Sequence, residues 1–161
     1  MNQPFILFLL TDIASTKGFI VACIIVFICF ILRRKRESAF LFFISTFGLM
    51  VSTTLLKELF ETTRSLDALI EVTGYAFPSG HASGAMFLGL VVAYLSRNLV
   101  TPLRNSIFLI LAVLVLTIGI SRIMYLVHTP LQVVAGFALG IFWALLFIRL
   151  SKRNQKILRT D

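Results

Sequence analysis

Long hydrophobic runs separated by short polar segments dominate the pattern of this chain of 161 residues. A helix needs roughly 20 apolar residues to cross the hydrocarbon core of a bilayer, and five runs approach or reach that length. They predict spans over residues 17–32, 38–56, 81–96, 105–120 and 131–150. The run over residues 5–10 is too short to span, so we expect an interfacial helix or an early turn of the first span there. The predicted fold class is all-α: a polytopic membrane helix bundle with about five transmembrane helices and a short N-terminal interfacial helix.

The composition supports a membrane protein and argues against a soluble one. The chain is 58% hydrophobic and has a mean hydropathy of +0.97, well above a soluble domain of this size. We expect a single integral-membrane domain over residues 1–161, with no basic region at the start to mark a cleavable signal. The net charge of +8 would suggest nucleic-acid binding in a soluble protein. Here the positive charges fall between hydrophobic runs, so they indicate orientation in the bilayer and no nucleic-acid partner.

The basic residues are divided unequally between the two sides of the predicted bundle. One side receives eleven: Arg33, Arg34, Lys35, Arg36, Arg97, Arg104, Arg149, Lys152, Arg153, Lys156 and Arg159. The other side receives four: Lys17, Lys57, Arg64 and Arg122. Cytoplasmic loops of membrane proteins carry the excess of Lys and Arg, so the side with eleven is predicted to be cytoplasmic. This orientation places the N-terminus outside and the C-terminus in the cytoplasm.

Titratable side chains gather at the outer ends of the predicted spans. The five residues concerned are Lys57, Arg64, His81, Arg122 and His128. One interpretation is that the cations snorkel to the interface or pair with nearby acids. Those acids are Glu58, Glu61, Asp67 and Glu71. The other interpretation is a phosphate pocket, because Arg offers paired donors to phosphate and Lys adds a point charge. The convergence of all five at one membrane face favours the pocket.

The segment over residues 75–82, YAFPSGHA, adds a second anion-binding feature at the same level. Ser79 is a good helix N-cap, and Gly80 lets the backbone come close to a ligand. The first-turn amides that follow have no helical partner and bind anions with the help of the helix dipole. His81 beside such a site suggests acid–base or covalent chemistry on a phosphate, although a lone histidine there more often has a structural role.

The sequence predicts no metal and no cofactor. Two histidines without a carboxylate at ligand spacing would not hold zinc, and the surrounding positive charge repels cations. Cys23 and Cys29 lie inside the first span on different sides of the helix, so we expect neither a disulfide nor a metal pair.

Three blocks in the chain resemble the type 2 phosphatidic acid phosphatase family, which includes bacterial lipid phosphatases and vanadium haloperoxidases. Residues 57–64, KELFETTR, fit K-x6-R; residues 77–81, FPSGH, contain P-S-G-H; and residues 121–128, SRIMYLVH, fit S-R-x5-H. The blocks occur in the family's order, and the resemblance covers roughly residues 39–146. Each block alone is modest evidence, whereas the ordered triple is highly specific.

The resemblance implies a role for each of these residues. His128 would be the nucleophile that forms a phosphohistidine, and His81 the general acid that protonates the leaving group and later serves as a base. The phosphoryl oxygens would be held by Lys57, Arg64, Arg122, Ser79 and the amide of Gly80. The reasoning from residues alone gives the phosphate pocket and does not say which histidine attacks.

Gln132 is the main departure from the family pattern, because the third block usually continues H-x3-D and here reads HTPLQ. The usual Asp orients the imidazole and stabilises its cation, whereas an amide oxygen accepts the hydrogen bond without charge. Replacing the corresponding Asp by Asn in a serine protease costs about 10⁴ in turnover. An acid of the outer loop, Glu61, Asp67 or Glu71, is a candidate substitute. Ser65, where the family often has Pro, concerns only loop stiffness.

The sequence therefore favours metal-independent hydrolysis of a lipid phosphate or pyrophosphate at the outer face of the membrane, through a phosphohistidine intermediate. We expect a bacterial inner membrane. Candidate substrates are undecaprenyl pyrophosphate, phosphatidylglycerol phosphate, phosphatidic acid and a lipid A phosphate. The alternative is a weak or inactive family member that binds phospholipid headgroups, with turnover lost at Gln132. A third possibility is a purely structural helical protein.

Overall fold

The computed structural model describes residues 16–70 and 72–157, and within them the regular elements are five α-helices. They are α1 (Thr16–Leu32), α2 (Arg36–Phe60), α3 (Gly80–Ser96), α4 (Thr101–Met124) and α5 (Pro130–Ile157). The all-α prediction is confirmed, and each of the five predicted spans corresponds to one of these five helices. The interfacial helix predicted over residues 5–10 lies outside the described residues.

The helices have the length and surface of a membrane bundle. Among the described residues, α2, α4 and residues 130–154 of α5 are long and apolar enough to cross a bilayer, while α1 and α3 are shorter apolar helices. Large apolar side chains stand on the outer surface, among them Ile24, Leu109 and Phe142, each more than half exposed. Soluble monomers rarely expose so many large apolar side chains, whereas such a surface suits contact with lipid tails.

Several helices extend beyond the hydrophobic runs that predicted them. Helix α2 continues through Lys57 to Phe60, and α4 continues through Arg122 to Met124. The last helix, α5, continues beyond residue 150, where the last predicted span ends, to Ile157. The prediction was wrong at these ends because charge marks where a helix leaves the hydrocarbon, whereas backbone hydrogen bonding continues into the interface.

Helix α3 lies at the centre and contacts each of the other four helices. Its most extensive contact is with α5, where two glycines let the backbones approach. A Cβ at Gly136 would lie 2.5 Å from the carbonyl oxygen of Ser79, and one at Gly140 would collide with the carbonyl oxygen of Ser83. The G-x3-G spacing at 136 and 140 predicts close packing within the chain, and the structure confirms it.

An aromatic core closes the half of the bundle where α1 ends and α2 begins. The ring of Phe30 lies 5.8 Å from the rings of Phe42 and Phe147, and Phe42 also stacks on Phe87 at 5.8 Å. All four side chains are at most 3% exposed. These contacts hold the helices together at one end and leave the opposite end to form a cavity.

Candidate active site

The residues predicted for the site all lie at one end of the bundle, where α2 and α4 end and α3 and α5 begin. Lys57 is in the last turn of α2, Ser79 precedes α3, and Arg122 is in the last turn of α4. The remaining members lie in connections or first turns; they are Arg64, Gly80, His81, His128 and Gln132. Antiparallel connection of neighbouring helices therefore brings all three sequence blocks to one level.

A cavity of about 550 Å³ opens at this end, and five predicted site residues line its polar part. They are Lys57, Arg64, Gly80, His81 and His128. The other three are buried immediately behind this wall: Ser79 is fully buried, Arg122 is 1% exposed and Gln132 is 7% exposed. The two imidazoles thus share one cavity, as the phosphate-pocket interpretation requires.

Arg64 is fixed by three backbone carbonyl groups. Its Nε donates to the carbonyl oxygen of Gly74 at 3.0 Å, and its Nη1 to that of Val127 at 3.0 Å. Its Nη2 reaches the carbonyl oxygen of Tyr75 at 3.4 Å, and Lys57 Nζ donates to the same oxygen. Within the described residues, the two cations are therefore held by loop backbone and not by the acidic side chains that the snorkelling-and-pairing interpretation invoked. Glu71, one of those acids, lies outside the described residues.

Arg64 also contacts the imidazole of His128. The distance from Arg64 Nη1 to His128 Nε2 is 3.3 Å. Burial and the Arg64 guanidinium lower the pKa of His128 from 6.5 to about 4. His128 is consequently neutral near pH 7, which is the form that carries a lone pair.

The side chain of Gln132 determines which nitrogen of His128 carries that lone pair. Gln132 Oε1 lies 3.1 Å from His128 Nδ1 and also accepts the backbone N–H of Thr129 at 3.0 Å. Because a backbone N–H only donates, the amide atom facing it must be the oxygen. That oxygen then requires a proton on Nδ1. The remaining nitrogen, Nε2, carries the lone pair, which accepts a hydrogen bond from Arg64 Nη1 at 3.3 Å.

Ser79 occupies the N-cap position of α3 but makes no capping bond with its side chain. Its backbone is extended (φ −71°, ψ 111°), and its N–H donates to the carbonyl oxygen of Gln132 at 3.0 Å. Its hydroxyl is fully buried and has no hydrogen-bond partner within the described part of the chain. An unsatisfied buried hydroxyl costs about 1–3 kcal/mol. The N-cap prediction is right for the position, although the side-chain hydroxyl makes no capping bond.

The turn between α4 and α5 returns His128 to the cavity. Leu126 adopts a left-handed conformation (φ 56°), which lets the chain reverse sharply after α4. The N–H groups of Val127 and His128 both donate to the carbonyl oxygen of Arg122, at 3.3 and 3.2 Å. The Arg122 side chain donates from Nε to Ser121 Oγ at 3.2 Å, and its guanidinium carbon lies 5.6 Å from the centre of the Tyr125 ring.

The cavity continues from its polar end into an apolar groove between helices. The groove walls come from α1, α2, α3 and α4 and include Phe19, Leu49, Leu88, Val92 and Leu111. Within the described residues, α1 and α4 make no packing contact with each other, so a slot remains between them. Sequence reasoning missed this groove, because no residue type marks the spacing of two helices that do not touch.

Glycines in α3 form part of the groove floor. A Cβ at Gly84 would lie 2.9 Å from the ring of Phe19, and one at Gly89 would lie 2.9 Å from Val115. Among the described residues, no group of three or more His, Cys, Asp or Glu side chains could hold a metal ion. Cys23 and Cys29 are free thiols.

Comparisons with known proteins agree with this geometry. Residues 53–156 match the PAP2 superfamily. The chain is similar to phosphatidylglycerophosphatase B of Bacillus subtilis (strain 168), at 33% identity over 108 residues. The matched part covers 65% of this chain and 52% of the relative, so the chain spans about half the length of that curated relative.

A solved structure extends the similarity to the whole bundle. The crystal structure of a transmembrane PAP2-type phosphatidylglycerolphosphate phosphatase from Bacillus subtilis superposes with a TM-score of 0.78 at 26% identity. The alignment covers 98% of this chain and 80% of that one. The apolar helices and this neighbour identify a multi-pass membrane protein. On the sequence match and the shared fold together, the chain belongs to the PAP2 superfamily.

Proposed function

We propose that this protein is a lipid phosphatase that hydrolyses a lipid phosphate or pyrophosphate through a phosphohistidine on His128. The observation that carries the proposal is the environment of His128 Nε2. This nitrogen carries a lone pair, lies 3.3 Å from the guanidinium of Arg64 and lines a cavity that continues into an apolar groove. The similarity to proteins named as phosphatidylglycerophosphatases supports a lipid phosphate as the substrate class.

In the first step, the Nε2 lone pair of His128 forms a bond to phosphorus while the bond from phosphorus to the leaving oxygen breaks. The leaving oxygen takes the electron pair of that bond and a proton from His81, which lines the same cavity. The bound phosphate dianion favours the protonated imidazole of His81. His128 keeps its proton on Nδ1 throughout and donates it in a hydrogen bond to Gln132 Oε1, which lies 3.1 Å away in the resting structure.

The negative charge on the phosphoryl group would be stabilised by three cations, Lys57, Arg64 and Arg122, which we call the cationic wall. Lys57 and Arg64 line the cavity and can donate to phosphoryl oxygens, and Arg122 lies buried behind them. The Ser79 hydroxyl and the first amides of α3, beginning at Gly80, complete the cradle. Phosphoryl transfer depends mostly on positioning and charge stabilisation, so this set of donors supports a reaction without a metal ion.

In the second step, a water molecule attacks the phosphorus of the phosphohistidine. The electron pair of the nitrogen–phosphorus bond returns to Nε2, and His81 accepts the proton that the water loses. Inorganic phosphate leaves and the resting imidazole of His128 is restored. The water needs access from the polar end of the cavity, where both histidines lie.

The groove supports a lipid as the substrate, because its apolar walls suit a hydrocarbon chain while the phosphate occupies the polar end. We propose that residues 1–161 form one domain in a bacterial inner membrane. The excess of Lys and Arg at the opposite end of the bundle supports an outward-facing site, a cytoplasmic C-terminus and an N-terminus outside. Among the candidate headgroups, the relatives' names favour phosphatidylglycerol phosphate over undecaprenyl pyrophosphate, phosphatidic acid and lipid A.

The second candidate function is headgroup binding with little or no turnover. It is favoured by one observation, namely that Gln132 places an uncharged oxygen against His128 where the family pattern has a carboxylate. An uncharged acceptor does less to stabilise a cationic imidazole during transfer. Both candidates require phosphate binding, and only the enzyme releases inorganic phosphate.

The test is phosphate release by the purified full-length protein in mixed micelles with a panel of lipid phosphates. We expect release from at least one lipid, complete loss with His128→Ala, and retained substrate binding by that variant. Lys152→Ala, at the opposite end of the bundle, serves as the control and should behave as wild type. Binding without any release above His128→Ala would favour the headgroup-binding function. Unchanged release with His128→Ala would overturn the proposed mechanism.

A further inference from the structure

Residues 65–69, in the connection between α2 and α3, form a tight turn that presents two leucines to the outside; we call it the leucine turn. Leu66 is fully exposed and Leu69 is half exposed. Ala68 N–H donates to the carbonyl oxygen of Ser65 at 3.3 Å, and Asp67 N–H donates to Ser65 Oγ at 3.1 Å. The turn is therefore held by polar groups, and the side chain of Leu66 contributes nothing to packing within the protein.

Helix α4 carries a stripe of exposed apolar side chains that ends beside the leucine turn. Five of them recur at intervals of three or four residues, which places them on one face of the helix. They are Leu109, Val113, Leu116, Ile120 and Met124. Leu69 N–H donates to the carbonyl oxygen of Tyr125 at 3.0 Å, directly after Met124 in the chain. This bond joins the leucine turn to the end of the stripe.

The length of α4 places this junction near the boundary between acyl chains and headgroups. Arg104 lies near the opposite end of α4, where a cation reaches headgroup level. From Arg104 to Met124 the helix rises about 30 Å, at about 1.5 Å per residue. The hydrocarbon core of a bilayer has the same thickness, about 30 Å. Met124 then lies at the second boundary, and the leucine turn beside it meets lipid.

We propose that Leu66 and Leu69 insert among the lipids at the active-site end of the bundle and seat the α2–α3 connection on the bilayer. The partner is the boundary between headgroups and acyl chains, which accepts exposed apolar side chains without a protein pocket. Asp67, exposed between the two leucines, limits the depth of insertion, because a carboxylate is costly in hydrocarbon. The turn is an interfacial anchor for that reason and does not enter the bilayer deeply.

The anchor lies next to a member of the cationic wall. Arg64 directly precedes the leucine turn, and its guanidinium bonds to the carbonyl oxygens of Gly74 and Val127 at 3.0 Å each. Seating the turn on the bilayer restricts the backbone that carries Arg64, so the guanidinium stays on His128. This consequence rests on the proposed function, whereas the lipid contact of the two leucines does not.

The first test locates the leucine turn in vesicles by fluorescence quenching. Trp143 is the one tryptophan of the chain, so in Trp143→Phe an added Leu66→Trp reports alone. The vesicles are phosphatidylcholine with brominated acyl chains, and iodide in the water is the opposing quencher. We expect the bromines to quench Leu66→Trp about as strongly as Ile120→Trp, on the α4 stripe, and iodide to quench it little.

Two results of this experiment would overturn the proposal. Quenching of Leu66→Trp by iodide, with little quenching by the brominated lipid, would place the leucine turn in water. Protection from both quenchers would mean that protein covers the turn, as in a dimer of this chain.

The second test removes the apolar side chain without adding charge or tryptophan. Leu66→Asn should lower kcat/KM for a lipid phosphate in vesicles about threefold to tenfold, whereas Leu66→Met, which stays apolar, should remain within about twofold of wild type. Thermal unfolding in detergent should be the same for all three proteins, because the Leu66 side chain is fully exposed. Unchanged kcat/KM in Leu66→Asn would contradict the coupling of the anchor to Arg64.

These results separate the anchor from the proposed function. Full release of phosphate by His128→Ala would remove the nucleophile and leave the quenching pattern as support for the anchor. Loss of release in His128→Ala, together with quenching of Leu66→Trp by iodide, would remove the anchor alone.

Discussion

Arg64 Nη1 lies 3.3 Å from Nε2 of His128 and 3.0 Å from the carbonyl oxygen of Val127, the residue before that histidine. One guanidinium therefore contacts both the ring and the backbone of the loop that presents it. The contact makes Arg64 the member of the cationic wall on which the orientation of His128 most directly depends.

Replacing Arg64 by Lys should impair catalysis even though the charge is kept. An ammonium group cannot bond to Gly74, Val127 and His128 together in a planar fork. We expect kcat/KM for a lipid phosphate to fall about 100-fold or more, as for loss of one preorganised donor. The fall in kcat/KM is measured by steady-state phosphate release, and Arg97→Lys, at the opposite end of the bundle, is the control. A loss below about threefold would contradict the role given to the guanidinium fork.

The pH dependence of the reaction should reflect the environment of His128. Burial and Arg64 lower the pKa of His128 to about 4, and the neutral ring is the form that attacks. The acid limb that His128 contributes to kcat/KM should therefore lie near pH 4, below the ordinary value of 6.5. Gln132→Glu places a carboxylate against Nδ1, which raises the pKa of His128 and moves this limb to higher pH. A limb that stays in place with Gln132→Glu would show that His128 is not the titrating group.

Removing the Ser79 hydroxyl should affect activity and stability in opposite directions. The hydroxyl has no partner among the described residues, so Ser79→Ala relieves an unsatisfied buried group. We expect unchanged or higher thermal stability together with a loss of about tenfold or more in kcat/KM. Ser83→Ala is the contrasting variant, because Ser83 Oγ donates to the carbonyl oxygen of Gly80 at 3.0 Å. Destabilisation by Ser79→Ala would mean that its hydroxyl is satisfied in the resting protein.

Phe19 should limit the size of the hydrocarbon chain that the groove accepts. Its ring lies against Gly84, where a Cβ would be only 2.9 Å away, and it lines the groove. Phe19→Ala should raise kcat/KM for lipids with longer or bulkier chains relative to short-chain lipids, by about threefold to tenfold. Competition between two chain lengths measures the ratio. Ile20→Ala, on the neighbouring and more exposed position, should leave the ratio unchanged.

The sequence predicted the helices and the placement of the candidate site residues at one end of the bundle, because both have local signatures. Hydrophobic runs are continuous, so the number and order of long helices followed from hydropathy. The three blocks ending at Arg64, His81 and His128 lie at alternate ends of successive helices, and antiparallel packing alone brings them to one membrane face. The predicted positions of the helix ends were less accurate, since α2 continues through Lys57 and α5 continues beyond Ser151.

The detailed geometry of the site depends on the conformation of the backbone, which cannot be predicted from residue types. Arg64 is held by the carbonyl groups of Gly74, Tyr75 and Val127, and every residue possesses such a group. Leu126 adopts a left-handed backbone conformation that leucine rarely takes, so residue propensities did not predict the turn there. The sequence flagged Gln132 as a departure, whereas its orientation by Thr129 became visible only with the hydrogen bonds of the folded chain.

The slot between α1 and α4 has a consequence for how this protein meets its substrate. Because these helices do not touch within the described residues, the hydrocarbon chain of the proposed lipid substrate would enter from the side without crossing water. Encounters would then take place by diffusion in two dimensions, and their frequency would depend on the mole fraction of substrate in the surrounding leaflet. Diluting that lipid with an inert one should slow turnover even at constant bulk concentration.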